Sequence, residues 1–356
     1  MKANPSDSFM PARILFYCTY GTDLNFDVLF SNHDLGIILE QNIAHLTRIA
    51  IDEAGDSEVK VAATRDCCEH LKLLYNILAN YPHQRWRFRS TLSPILEFLN
   101  SVAIVSPPLE PPVSLLINAL VHFDFENQED HLRTLLFPGS QGTIYLDLLT
   151  RILDLAVDCY TTSELDLRAS PLVQVLLRIS SIAPPGPKSY LCALLMPSEK
   201  DRESVLGKGS SLSSKLLSLF NEISAPHLKE LLPALYFELS DNHVDLFVKN
   251  VGYGLAAGFL RSNCLQPEFG VESPSMNNAG NARHGISEVN PITGQRLDRE
   301  QSHAGSDFTE EEKEREAERL FVLFERLRAT GVINVENPVA QAQHRDNLEG
   351  RFEEVE

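Results

Sequence analysis

From about residue 12 to about residue 262 the apolar positions fall into short dense runs separated by breakers, and the strict alternation that marks strands is nearly absent. Several runs open with proline at or near a first helical position, where its missing N–H costs nothing: Pro94-Ile95-Leu96, Pro112-Val113-Ser114, Ser170-Pro171-Leu172 and Pro226-His227-Leu228. These prolines predict helix boundaries. In Leu71-Lys72-Leu73-Leu74-Tyr75-Asn76-Ile77-Leu78 and Leu115-Leu116-Ile117-Asn118-Ala119-Leu120 nearly every position is apolar, more than the single stripe of a surface helix. Such helices are expected to lie sandwiched between neighbours.

Asn76 and Asn118 hold equivalent places in these two helices and lie 42 residues apart, inside the period of armadillo and HEAT units. Units this small cannot bury their own apolar faces, so they stack into a superhelix with a concave groove. The predicted fold is therefore all-α: an armadillo/HEAT-like helical-repeat superhelix over 1–262, a flexible linker over 263–308, and a C-terminal helix and tail over 309–356. The linker is drawn from the stretch Ser262 to Asp307, rich in Ser, Asn, Gly and Pro, whose only aromatic residue is Phe269. Beyond it, Thr309 and Glu312 form a capping box, Leu320, Leu323, Phe324 and Leu327 make an apolar stripe, and Gly331 supplies a stop. That stripe must be buried on the repeats or on a partner.

Composition narrows the function. The 356 residues carry 31 Lys plus Arg against 49 Asp plus Glu, a formal charge of −18, which opposes binding to nucleic acid or to anionic lipid. The six cysteines lie mostly in apolar runs without framework spacing, as buried reduced thiols of a cytoplasmic protein do. No apolar run approaches the roughly 20 residues that span a bilayer, and Met1 to Asp7 does not read as a signal peptide.

Candidate chemistry is sparse. Gly207-Lys208-Gly209-Ser210 lacks the upstream glycine and strand of a phosphate loop. Gly252-Tyr253-Gly254-Leu255-Ala256-Ala257-Gly258 has one residue too many for a dinucleotide motif and reads as close helix packing. Cys67-Cys68-Glu69-His70 holds metal-ligand residue types, but neighbours on a helix diverge by about 100° and no second pair exists, so the reading is buried cysteines beside surface polar residues. We expect no cofactor, no metal and no catalytic side chain. For Asn76 and Asn118 two readings stand: a bond to a carbonyl one turn earlier, or a ladder holding a peptide in the groove.

Three stretches together are similar to the synembryn family of Gα chaperones and guanine nucleotide exchange factors. They are Lys249-Asn250-Val251-Gly252-Tyr253-Gly254-Leu255-Ala256-Ala257-Gly258-Phe259-Leu260, then Val289-Asn290-Pro291-Ile292-Thr293-Gly294, then the helix from Thr309 through Arg326, Leu327 and Val332-Ile333. Ala12-Arg13-Ile14-Leu15-Phe16 resembles a mid-array repeat of that family, so the resemblance implies an array shortened at its amino end. Phe269 to Glu288 is polar but scarcely acidic, unlike the phosphorylated stretch of certain animal members, while Thr309 with Glu312 suits an acid-directed kinase.

The resemblance implies a monomer that grips nascent or GDP-bound Gα, stabilises its nucleotide-free state and is released by GTP, in the cytoplasm or recruited to the cortex through Gα. It places the carboxy-terminal helix of Gα in the groove, where inner-helix positions nominate Lys72, Asn76, Asn118, His122 and Arg178. A second contact on the nucleotide-binding domain nominates Phe321, Phe324 and Arg328, with packing of the two aromatics on the last repeat as the other reading. The alternative function is an armadillo-type adaptor that binds an extended peptide without exchange activity.

Overall fold

The computed structural model describes residues 5–21, 24–123, 129–139, 142–266 and 289–300, together with Arg315 and Arg319. Among the described residues the regular structure is helical, apart from one isolated bridge between Val289 and Arg296. The helices are α1 (Pro5–Cys18), α2 (Phe26–Asn32), α3 (Leu35–Ile51), α4 (Ser57–Asn80), α5 (Leu92–Ser101), α6 (Val113–Val121) and α7 (Glu129–Leu136). They continue as α8 (Ile144–Cys159), α9 (Thr162–Ile182), α10 (Pro185–Leu195), α11 (Leu212–Ser218), α12 (Pro226–Leu239), α13 (Val244–Val251) and α14 (Tyr253–Ser262). The all-α expectation holds.

Two rows of helices carry the core. In one, α1 packs on α4, α4 on α6, α6 on α9, α9 on α12 and α12 on α14; in the other, α3 covers α4 and α5, while α8 covers α9. The dense runs of α4 and α6 lie inside this sandwich: Leu71, Leu74, Ile77, Leu116 and Ala119 are fully buried. Polar ties reinforce the stacking. Buried Asp66 offers its backbone carbonyl to Nδ1–H of His70 at 2.8 Å, so that Nε2 of His70 accepts from Asn42 of α3 at 3.3 Å. Asp166 of α9 accepts from the backbone N–H of Leu228 at 2.7 Å and from Nδ1 of His227, capping the start of α12 across the row.

Three local expectations change. Ser170-Pro171 is no boundary: the capping box of Thr161 and Glu164 starts α9 ten residues earlier, and Pro171 sits inside it. The carbonyl of Leu167, deprived of its donor by Pro171, belongs to a residue 71% exposed, so the lost helical bond falls on the solvent side of α9. Glu69 and His70 are buried rather than on the surface, Glu69 held by Lys72 at 2.6 Å. The thiols also divide: burial pushes Cys67 up to about 12, whereas Cys159 and Cys264 are exposed.

A further correction concerns residues 289–300, which the sequence assigns to the flexible linker. They lie against α13, α14 and the Asp201–Leu206 turn as part of one compact unit, Met1–Glu300. The carboxamide of Asn290 folds the turn by accepting from the N–H groups of Ile292 and Thr293. Tyr253 N–H then donates to Pro291 at 2.7 Å and Gly254 N–H to Ile292 at 2.9 Å, while the buried guanidinium of Arg202 bridges the carbonyls of Gly294 (3.0 Å) and Asn250 (2.9 Å). Gly252, at φ +80°, is the seat. A Cβ there would stand 2.8 Å from the oxygen of Ile292 and 2.9 Å from the nitrogen of Gly294. The missing side chain thus admits a backbone strap rather than another helix. The predicted helix over 309–330 lies outside the described residues, which include only Arg315 and Arg319 there, both helical.

Candidate functional site: a cationic seam on the inner helices

The central candidates lie on neighbouring helices. Lys72 and Asn76 stand on α4, Asn118 on α6, His122 at the C-terminal cap of α6 and Arg178 on α9, three helices that pack in succession. The ring of His122 lies 4.8 Å from that of Tyr75, crossing from α6 to α4. Arg178 donates through Nη1 to the carbonyl of Val121, crossing from α9 to the last turn of α6, where a cation meets the negative end of the helix dipole. Lys72 pairs with Glu69 and places its ammonium 5.5 Å from the ring centre of Phe16 in α1. Asn118 is half-buried on α6.

Charge sets the character of this seam. Burial, then the fields of Arg85 and Arg178, lower the His122 pKa below the ordinary imidazole value, which keeps the ring neutral near neutral pH. Its Nε2 is buried and has no hydrogen-bond partner. The seam therefore holds fixed cations around a neutral histidine in a chain of charge −18, an arrangement suited to an anionic or carbonyl-bearing group.

Asn76 does not bond the carbonyl one turn earlier. It is 6% exposed, and its amide nitrogen donates to Oγ1 of Thr19 at 2.7 Å, tying the end of α1 to α4. Two residues escaped the sequence reading. Tyr75 reads as core because its neighbours are apolar, yet it is 37% exposed. Arg85 comes from outside the helical pattern, in the 3₁₀ segment Pro82–Thr91, and is held by the carbonyl of Leu78 at 2.8 Å. Phe321, Phe324 and Arg328 lie outside the described residues. Among the described residues no group of His, Cys, Asp and Glu is arranged to hold a metal ion, and no helix is long and apolar enough to cross a membrane.

Comparison with known proteins gives this architecture a lineage. The family described as guanine nucleotide exchange factor synembryn matches residues 1–346. The chain belongs to the synembryn family. Similar proteins include a synembryn-like chaperone of Schizosaccharomyces pombe, 31% identical over 188 residues, covering 48% of this chain and 34% of that protein. Chaperone Ric-8A of Macaca fascicularis is 28% identical over 178 residues, 49% of this chain and 33% of its own, and that of Xenopus laevis 29% over 150 residues, 41% and 28%. The chain thus spans about a third of the length of these synembryn relatives. Two of the stretches that resemble the synembryn family, Gly252-Tyr253-Gly254 and Asn290 to Gly294, prove to be the two halves of one contact, the strap and its seat.

Proposed function

We infer that this chain binds Gα subunits of heterotrimeric G proteins, acting as a chaperone and as a guanine nucleotide exchange factor. Membership of the synembryn family over residues 1–346 carries the reading, and the cationic seam on three successive inner helices supports it. Nascent or GDP-bound Gα enters with its carboxy-terminal helix along the groove, meeting Lys72, Asn118, His122 and Arg178. Phe321, Phe324 and Arg328 in the tail beyond residue 308 make the second contact. The repeat array over 1–262 and the helix over 309–330 then hold two parts of one client.

Exchange needs no catalytic side chain. A protein that binds empty Gα more tightly than GDP-bound Gα weakens GDP by the same factor, because the two equilibria are linked. GTP reverses the preference and releases the complex, and the free chain is a cytoplasmic monomer. The test is GDP release from purified Gα with and without the chain, alongside Arg178→Glu. Acceleration that Arg178→Glu reduces at least about tenfold supports the reading, since a reversed charge in a partly buried seam costs more than about 1.4 kcal/mol. Binding without acceleration would identify a chaperone or peptide adaptor, and absence of binding would refute the assignment.

A further inference from the structure

The segment Pro82–Thr91, Pro-His-Gln-Arg-Trp-Arg-Phe-Arg-Ser-Thr, contains four basic or titratable nitrogen side chains and no acid, within a chain of charge −18. It is a 3₁₀ helix of ten residues, where runs beyond three or four are uncommon. In a 3₁₀ helix residues i and i+3 eclipse, so the segment has three ridges. One ridge is buried, with Phe88 and Thr91 inside the array. The second lies on α3: Arg87 rests 3.6 Å from where a Cβ of Gly36 would stand, and Ser90 bonds Glu40.

The third ridge, His83, Trp86 and Arg89, faces out, with Trp86 55% exposed. Asp27 borders it at one end, where it accepts from His83 at 2.7 Å and from Gln84 at 2.9 Å. From Trp86 to Arg89 the ridge is open. The guanidinium of Arg87 lies 4.6 Å from the Trp86 ring centre and donates only to the amide oxygen of Gln84, and no carboxylate among the described residues pairs with Arg87 or Arg89. A large exposed aromatic, the exposed guanidinium of Arg89 and the half-buried guanidinium of Arg87 beside the Trp86 ring thus stand together, without a carboxylate partner among the described residues, on one packed segment.

We propose that Trp86, Arg87 and Arg89 form a docking ridge for an extended acidic segment of another protein. Three residues of 3₁₀ helix advance about 6 Å, close to the roughly 6.6 Å between alternate residues of an extended peptide. Alternate side chains of such a segment therefore meet Trp86 and Arg89 in turn, with a carboxylate taken by the guanidiniums and an apolar stem lying on the indole. The stacking of Arg87 on Trp86 fixes both before the ligand arrives, which lowers the ordering cost. The proposal uses none of the residues nominated for the groove and does not depend on the Gα reading.

Trp86 is the only tryptophan in the chain, so its emission reports on the ridge without a label. The experiment titrates the full chain with a decapeptide of alternating Glu and Val, using alternating Lys and Val as control. A saturable shift of Trp86 emission is expected with the acidic peptide alone, weakening as salt rises from about 0.05 to about 0.3 M. Arg89→Gln, at an exposed side chain, should weaken binding at least about tenfold without moving the melting temperature, and the double substitution of Arg87→Gln with Arg89→Gln should weaken it further. Absence of binding, calorimetric binding without an emission change, or binding indifferent to the double substitution would each overturn the proposal. So would a blue shift with vesicles of about 30% phosphatidylserine and none with the peptide, which would make the ridge a membrane contact.

Discussion

Replacing Gly252 by alanine tests the strap directly, because two separable costs meet at one atom. The first is conformational: φ +80° with ψ 144° is a glycine region, and holding alanine there costs about 1–3 kcal/mol. The second is steric, since the new Cβ would stand 2.8 Å from the oxygen of Ile292, 2.9 Å from the nitrogen of Gly294 and 3.0 Å from the carbonyl carbon of Thr293. All three are backbone atoms, so no rotamer relieves them; the strap itself must move. Moving it stretches the bonds from Tyr253 and Gly254 at 2.7 and 2.9 Å and the Arg202 bond to Gly294 at 3.0 Å, each worth about 0.5–1.5 kcal/mol. A total loss of about 3–5 kcal/mol is expected. Gly258→Ala is the internal control: it lies within α14, its Cβ would meet only Asn221 at 3.7 Å, and it should stabilise by about 0.5–1 kcal/mol. Urea unfolding measures both, and amide exchange at 289–300 shows whether the strap has left its seat. A loss near 1 kcal/mol at Gly252 with unchanged exchange at Gly294 and Leu206 would leave only the dihedral cost, and the steric account would be refuted.

Other outcomes follow from single contacts. Arg202→Lys cannot bridge the carbonyls of Gly294 and Asn250 at once and should cost about 1–3 kcal/mol, read as faster exchange in the strap. Asn76→Leu removes the tie to Thr19 and should lower stability by about 1–2 kcal/mol, with the increase in exchange confined to α1. His122 is held below its ordinary pKa when folded, so unfolding takes up a proton; its contribution is complete above about pH 6.5 and is lost as pH falls through that value toward the lowered one. His122→Gln should therefore flatten the dependence of the urea midpoint on pH below about pH 6.5, and an unchanged slope would show that His122 is not the group.

What the sequence disclosed depended on which interactions leave a side-chain trace. Apolar density in α4 and α6 announced burial on both faces, and Pro226 marked the start of α12 because its missing N–H is harmless there. Pro171 misled, since a proline tolerated in mid-helix and one that opens a helix look alike until the Thr161 capping box is weighed. His122 and Arg178 were legible as inner-helix positions, although their meeting at the end of α6 needs the stacking of three units. Arg85 was not, because a 3₁₀ segment has no 3.6-residue pattern to betray it. The strap was least legible: its bonds run mainly between backbones separated by 38 to 94 residues, and the surviving signs are glycines whose purpose appears only when Ile292 and Gly294 are set beside them.

That long span also orders events in time. Each inner helix needs only a neighbour made shortly before, so the array can be laid down from its amino end as the chain leaves the ribosome. Arg202 is different: its partner Gly294 is synthesised 92 residues later, a delay of roughly 5–18 seconds at typical translation rates of about 5–20 residues per second. Until then the carboxyl end of the array waits with a buried guanidinium half satisfied and an empty glycine seat. Folding is thus completed from behind, and a ribosome stalled between residues 266 and 289 would display an array whose early helices are protected while its last ones exchange freely.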